Sequence, residues 1–444
     1  MRPAPAPSTA PLTLREVLAT WAPLAGSWLL MGLELPAVSA VMARLPESTV
    51  SLAAYGGVVF PLALLIESPI LMLLTASTAL ARDARSYRIV RRFMWIAGGA
   101  LTVLHAAIAF TPLFDVIAST VIAVPEAVRE PARTGLRIML PWSMAIAYRR
   151  TQQGVLIRFD RAHAVTVGTM IRLGTLAAVL AFGAAYGHAP AIVVGTTAVA
   201  SAVVAEAVFA NRAVRPLVRG ALASAPAPVG DPLTMPSFLR FYVPLMLTPL
   251  LHFIGMPLAA SAMSRMPLPL ESLAVWPVLS GAAFTVRSVG FAYNEVVVAL
   301  LERTRPWPVL RRFAWTLGLT LTTVLLVGAG TPLGQGWFRH AAGLSEPLAD
   351  MAWRGLPLLV PMGLLTVAQS LFQGVLVHAR ATRAITESMA VLLLATVIVL
   401  AAGIAHGRTP GLPFAAAALT AGGLAQVAWL AWRSSGARRA LAAR

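Results

Sequence analysis

Long apolar runs, recurring from near the start of the chain to near its end, constrain this sequence more than any other feature. A helix crosses a hydrocarbon core in roughly 20 apolar residues. On that measure twelve spans are read, at 16–44, 50–80, 88–111, 131–157, 164–187, 190–211, 238–265, 271–301, 310–330, 352–378, 385–405 and 411–432. Inside a bilayer no water is available to bond the backbone, so each run predicts a helix rather than a loop or an isolated strand. Composition agrees: 58% of residues are apolar and 12% charged, about half the charged share of a soluble domain. The expectation is an all-α polytopic membrane protein.

All 35 basic residues are arginine, the net charge is +18, and there is no cysteine. A soluble chain this basic would point to nucleic acid. Here the arginines cluster between alternate spans: Arg82, Arg85, Arg88, Arg91 and Arg92, then Arg212, Arg215 and Arg219, then Arg303 and Arg305, then Arg380 and Arg383, and finally Arg433, Arg438 and Arg439. Positive charge accumulates on cytoplasmic loops, so both termini are expected in the cytoplasm and nucleic acid is not expected as a partner. Without cysteine there is no disulfide, thiolate metal site or cysteine nucleophile. Residues 1–13, rich in Pro, Ala and Ser, read as a disordered cytoplasmic tail without the apolar core of a signal peptide.

The chain also repeats itself. Pro36, Met42, Arg44, Pro46, Ser51, Leu52 and Ala53 recur, without a gap, as Pro257, Met263, Arg265, Pro267, Ser272, Leu273 and Ala274. Gly135, Leu136, Pro141, Gln153, Gly154, Val155 and Leu156 recur in the same way as Gly355, Leu356, Pro361, Gln373, Gly374, Val375 and Leu376, one residue closer to their copies than the first set. Six spans per copy give both halves the same orientation, the plan of transporters whose halves are related by an axis along the membrane normal. The expected organisation is a six-helix half at 14–215, a Pro/Ala/Gly-rich cytoplasmic linker at 216–236, a second six-helix half at 237–433 and a basic tail at 434–444. The duplicated Pro36 and Pro257, and Pro141 and Pro361, are candidate bends, because proline removes a helical hydrogen bond.

Ionisable groups inside spans are costly and are candidate sites by default. Glu34, Glu67, Arg172, Arg287 and Glu295 fall there, with Asn294 beside the last. Arg287 and Asn294, seven residues apart, share a helical face. A buried carboxylate can couple transport to protons, whereas arginines facing a cavity can bind carboxylate or phosphate by paired hydrogen bonds. The blander alternative is that these charges neutralise one another as structural ion pairs. His105 and His252 are lone histidines, more often interior hydrogen-bonding residues than ligands. Gln153 and Gln373 are candidate cavity-lining groups, and the glycine after each allows close packing. Arg149 and Arg150 are expected at the cytoplasmic interface, while Trp21, Trp95, Trp307 and Trp337 read as interface anchors.

The pattern P-x5-M-x-R-x-P-x4-S-L-A in the first hairpin, with QGVL closing span four and its copy, resembles the MATE-type superfamily of multidrug exporters and oligosaccharide and lipid flippases. Glu34 followed by Leu52-Ala53-Ala54-Tyr55-Gly56, and the stretch from His105 to Thr111, are similar to the progressive ankylosis family within it. Glu67-Ser68-Pro69 departs from that family's less acidic segment. The resemblance implies two pseudo-symmetric six-helix bundles and export of small anionic metabolites such as citrate, other dicarboxylates or tricarboxylates, nucleotide or pyrophosphate; with the buried carboxylates, proton or sodium coupling is expected. Alternatives are a cation or drug antiporter of the MATE type and a flippase for a lipid-linked substrate. No G-x4-G-K-[ST] loop, metal-spaced cluster or large polar domain is present in the sequence. Neither ATP, a cofactor, a metal nor enzyme chemistry is therefore expected. The reading is a monomeric secondary transporter of a bacterial inner membrane.

Overall fold

A computed structural model describes residues 12–225 and 232–442. Expectations placed on 1–11, on 226–231 of the linker and on 443–444 lie outside those residues. The described chain is helical, with no β-strand among the described residues. Its principal helices are α1 (Leu14–Met42), α2 (Ser48–Leu80), α3 (Ala84–Phe110), α4 (Trp142–Arg158), α5 (Ala162–Tyr186), α6 (Ala191–Arg219), α7 (Met235–Met263), α8 (Pro269–Leu300), α9 (Pro306–Gly330), α10 (Met362–His378), α11 (Arg383–His406) and α12 (Gly411–Arg433). A short helix, Ser435–Ala442, follows where a basic tail is expected, and its Leu441 is buried.

Among the described residues ten helices are long and apolar enough to cross a membrane, and the pair Glu346–Leu359 and α10, bent by 44°, makes an eleventh if the two are taken together as one span. The fourth expected span differs from the rest. It is two helices, Glu126–Ile138 and α4, broken around Pro141, and it is not among the helices apolar enough to cross by composition. Its arginines explain the difference, since Arg149 is buried in protein rather than turned to lipid. Burial also ranks the helices. In the most apolar stretch of α2, α6 and α8, 61% of residues are buried, against 22% in α1, α5, α7 and α11. The first group is the more enclosed by protein within its own unit, and the second presents apolar side chains such as Phe182 and Leu394 outward, as a bilayer solvent permits.

The duplication is written into the backbone. Glu47 and Leu268 both take left-handed conformations, φ 57° and 53°, as do Asp160 and Arg380 at 56° and 57°, and Ala123 and Gly343 at 61° and 76°. Single π-helical turns occur at Ile117–Val121 and Trp337–Ala341. The first of these pairs is one residue farther apart in sequence than the others. The lost residue has a physical location: α2 contains a further π turn, Tyr55–Val59, absent from the continuous helix at the start of α8. A π turn accommodates one extra residue in a helix. Beyond it the shorter spacing governs the contacts as well. A Cβ added at Gly154 would meet Leu74 and Ser77, and one added at Gly374 would meet the matching Asn294 and Val297. Helix starts match too, with reciprocal caps at Thr13 and Thr234. α1 and α7 are interrupted at Leu33 and Ile254, three residues before Pro36 and Pro257. Pro141 and Pro361 stand at the starts of α4 and α10.

The compact units of the chain are not the two sequence halves. One unit is Val41–Ser264, and the other joins residues up to Ala40 to Arg265 onward. The first helix of each half thus packs with the other half's helices. In the first unit α7 lies on α2 and α3: Tyr242 Oη donates to the Pro69 carbonyl at 2.6 Å, and Phe93 packs on Phe238 and Tyr242 at 4.9 and 4.8 Å between ring centroids. In the second unit α1 lies on α8 and α9. There Trp21 Nε1 donates to the Val289 carbonyl at 3.0 Å, its ring meets Phe313 at 5.5 Å, and Thr285 Oγ1 donates to the Gly32 carbonyl at 2.7 Å.

Candidate functional site

Charge inside the unit Val41–Ser264 converges on one carboxylate. Glu206 sits in an Ala- and Val-rich stretch of α6 and is 1% exposed. Its Oε2 accepts from Arg149 Nη1 of α4 and lies 3.3 Å from Arg172 Nε of α5. Its Oε1 accepts from Gln153 Nε2 at 2.9 Å. Arg149 and Gln153 are four residues apart, hence on one face of α4. Three helices therefore meet through a single acidic group, whose charge offsets much of the cost of burying the two arginines.

A second carboxylate stands near the first. Glu67, late in α2, is 2% exposed, and the positive charges acting on it are those of Arg149 and Arg150. Its Oε2 has no hydrogen-bond partner, and neither has the buried Nε of Arg150. Arg150 feels Glu67 and Glu206 as well as the like charges of Arg149 and Arg172. Counted as formal charges, two carboxylates and three guanidiniums leave this polar core with at least one positive charge in excess.

The repeat makes the cluster informative. In the register that pairs Gly154 with Gly374, the positions matching Glu206, Arg149 and Arg172 hold Gln426, Gln369 and Leu392. Gln426 is buried and donates to Ser388 Oγ at 3.3 Å. The same helices therefore pack in the other half without any of these charges, and the fold does not require them. Glu67 has a different counterpart. With the α2 π turn taken into account, it matches Arg287, a buried group of opposite sign in the corresponding helix.

Arg287, in the unit formed by residues 12–40 and 265–442, has no acidic partner among the described residues. Its Nε donates to Thr366 Oγ1 of α10 at 2.7 Å, and its guanidinium carbon lies 5.4 Å from the Phe291 ring centroid. Asn294 reaches the same helix one turn on, donating to the Ser370 carbonyl at 3.2 Å. The seven-residue spacing thus turns both toward α10. Glu295 is exposed.

The remaining candidates are placed as follows. Glu34 is half-buried at the interruption of α1. His105 is fully buried, its Nε2 3.0 Å from the Leu136 carbonyl, in the manner of an interior hydrogen-bonding histidine. Gln153 joins the Glu206 cluster, whereas Gln373 is half-buried with Gly374 pressed against α8. His252 is exposed. Arg149 and Arg150, expected at the cytoplasmic interface, instead belong to the charged core. Trp307 is not an interface anchor: it is buried in the core with Leu310 and Phe313, because the chain turns into α9 there. Glu206 is absent from the sequence candidates. Its signal is nevertheless present, as the lone acidic residue in the 190–211 run, opposite a glutamine in the repeat.

No family model matches the sequence, and no curated protein matches it. Solved structures do. An inward-facing multidrug resistance MATE family transporter of the MOP superfamily superposes with a TM-score of 0.70 at 15% identity, covering 94% of this chain and 99% of that one. The chain has the MATE fold. That fold also aligns it with the lipid II flippase MurJ in an inward closed conformation, at a TM-score of 0.66 and 12% identity over 95% of this chain and 90% of that one. A third MATE-fold neighbour is a MOP superfamily transporter from Pyrococcus furiosus, described as having a binding pocket of reversed polarity. It has a TM-score of 0.57 and 18% identity over 98% of this chain and 97% of that one. The expected MATE-like, all-α membrane architecture is therefore the observed one.

Proposed function

We propose that this protein is a secondary active transporter, not an enzyme, that exports small organic anions by alternating access with proton or sodium coupling. The substrate class is that of the progressive ankylosis resemblance: citrate or another dicarboxylate, a nucleotide or a pyrophosphate-like anion. It would act as a monomer in a bacterial inner membrane, with both termini cytoplasmic.

The observation that carries this reading is Arg287. A buried guanidinium without a carboxylate is unfavourable by several kcal/mol, and a single hydroxyl and an aromatic face offset only part of that. Such a group is complementary to an arriving anion, which a planar fork of donors can grip at two oxygens. The excess positive charge around Arg149, Arg150 and Arg172 favours the same sign of substrate. A MATE-type cation or drug antiporter is the second reading, favoured by the buried carboxylates Glu67 and Glu206. The fold likeness to a multidrug transporter and to a lipid II flippase is compatible with either.

In proteoliposomes loaded with labelled citrate or a nucleotide, the wild type is expected to show efflux that depends on an imposed ion gradient. Arg287→Gln should abolish that efflux without lowering thermal stability, since the change removes an uncompensated buried charge. Glu34→Gln should leave the protein folded and remove the dependence on a pH gradient. A wild type that moves no anion but drives a cationic dye against a proton gradient would reject the anion reading in favour of the second one.

A further inference from the structure

One motif recurs without a gap and has no part in the site above. Arg91-Arg92-Phe93-Met94-Trp95 opens the membrane part of α3, and Arg311-Arg312-Phe313-Ala314-Trp315 opens that of α9 at the matching place in the repeat. The two copies are built alike. Phe93 and Phe313 turn inward onto aromatic neighbours, Phe93 on Tyr242 and Phe313 on Trp21. Trp95 and Trp315 turn outward, and each is 54% exposed. A helix carries residues four apart on one side, so each tryptophan stands one turn along from the first arginine of its pair.

Each copy lines a groove. The first, about 180 Å³, lies between α3, α4 and α6, where Arg91 and Trp95 line the groove together with Tyr148, Arg215 and Arg219. The Trp95 and Tyr148 rings are 6.1 Å apart, and Tyr148 Oη donates to Asn211 Oδ1 at 2.7 Å, which fixes the groove wall. The second, an open groove of about 500 Å³ on α9, is lined by Arg311, Arg312, Trp315 and Leu319. None of these arginines has a carboxylate within ion-pair distance among the described residues. Further along each helix the surface becomes apolar and exposed, with Ile96 and Val103 beyond the first groove and Leu319 and Leu326 along the second.

We propose that the duplicated Arg-Arg-Phe-x-Trp motif forms two anionic phospholipid sites, one on each half, with the headgroup phosphate held by the arginines and the acyl chains laid along the exposed apolar strip. Guanidinium forks match phosphate oxygens, and indole rings sit at the headgroup level of a bilayer. Basic pockets between membrane helices are the usual form of such sites. Orientation by positive charge alone needs arginines near a span end. It does not need tryptophans at one fixed spacing in both copies, or convergence of arginines from α3 and α6. The apolar continuation selects a lipid over a free phosphate, because a soluble anion would leave that strip unused.

Lipid retention measured by native mass spectrometry, with phosphatidylglycerol competing against phosphatidylcholine of the same chains, tests the assignment. The wild type should keep phosphatidylglycerol in preference, with two lipids retained per protein. Arg91→Ala/Arg215→Ala and Arg311→Ala/Arg312→Ala should each remove one, with the preference at that groove falling by about tenfold or more. The exposed pair Arg161→Ala/Arg240→Ala loses the same charge outside the grooves and should leave both lipids in place. Equal retention of the two lipids by the wild type, or an equal loss in that control pair, overturns the proposal. Inorganic phosphate that raises the melting temperature of lipid-free protein as much as phosphatidylglycerol does would overturn the lipid assignment as well.

Discussion

Glu206 accepts from one arginine and an amide and lies in ion-pair distance of a second arginine while almost wholly removed from solvent, and this makes a sharp prediction at the scale of single residues. Glu206→Gln leaves Arg149 and Arg172 buried without their counter-charge and should cost about 3–5 kcal/mol of stability. The triple variant Glu206→Gln/Arg149→Gln/Arg172→Leu installs the residues that the other half already carries, and it should recover most of that loss while losing transport. Thermal unfolding in mild detergent, read beside efflux, separates the two effects. A triple variant as unstable as the single one would mean that the cluster is structural. Part of this cluster was legible in the sequence. Arg172 and Glu67 were visible as charges in apolar runs, and Gln153 was marked by its duplicate Gln373. Glu206 escaped because it lies near the expected end of its span, where a carboxylate reads as solvated. No pattern in one helix states that two others will bring their side chains to it. Arg149 and Arg150 differ from expectation for a related reason: adjacent arginines near a span end resemble a topogenic pair, and only the fold brings Glu206 of α6 against Arg149.

At the scale of helices, close approach rather than charge decides what can be tolerated. Gly154 brings α4 against the backbone of α2, where an added Cβ would lie 2.5 Å from the Leu74 carbonyl oxygen and 2.6 Å from Ser77 Cβ. Neither neighbour is the flexible end of a side chain. Gly154→Ala must therefore push the helices apart, and it should destabilise by about 1–3 kcal/mol. Gly99→Ala and Gly174→Ala meet nothing within 4 Å and should be neutral or gain up to about 1 kcal/mol from helix propensity. Similar melting temperatures for all three variants would show that the α2–α4 contact is loose. The Gln-Gly pairs were recognisable in the sequence as packing positions, because glycine recurred where the repeat register held. The π turn at Tyr55–Val59 was not. It leaves only a one-residue change of register between two apolar stretches, and apolar residues match one another in either register. Its consequence is large, because it aligns Glu67 with Arg287 instead of with Ser288.

At the scale of the molecule, hydropathy and the repeat were enough to expect six helices per half, but not which helices pack together. Spans within a half are continuous in sequence, so the natural assumption is that each half closes on itself. The structure joins α7 to the helices of the first half and α1 to those of the second. The reason lies in side chains that sequence position does not rank. Leu12 and Val17 enter the core formed by Tyr293, Leu310 and Phe313, while Phe238 and Tyr242 close over Phe93. Each unit is therefore incomplete in either half of the chain. A protease site placed within residues 226–231 and cut after purification should leave the fragments together on size exclusion in mild detergent, since each unit draws helices from both. Expressed singly, residues 232–444 would lack α1 and expose the face of α8 and α9 that Trp21 and Val17 cover, so the fragment should be degraded or aggregate. Co-expression with residues 1–225 should rescue it, whereas a second fragment that is monodisperse and stably folded alone would show that the exchanged helices are dispensable to their units.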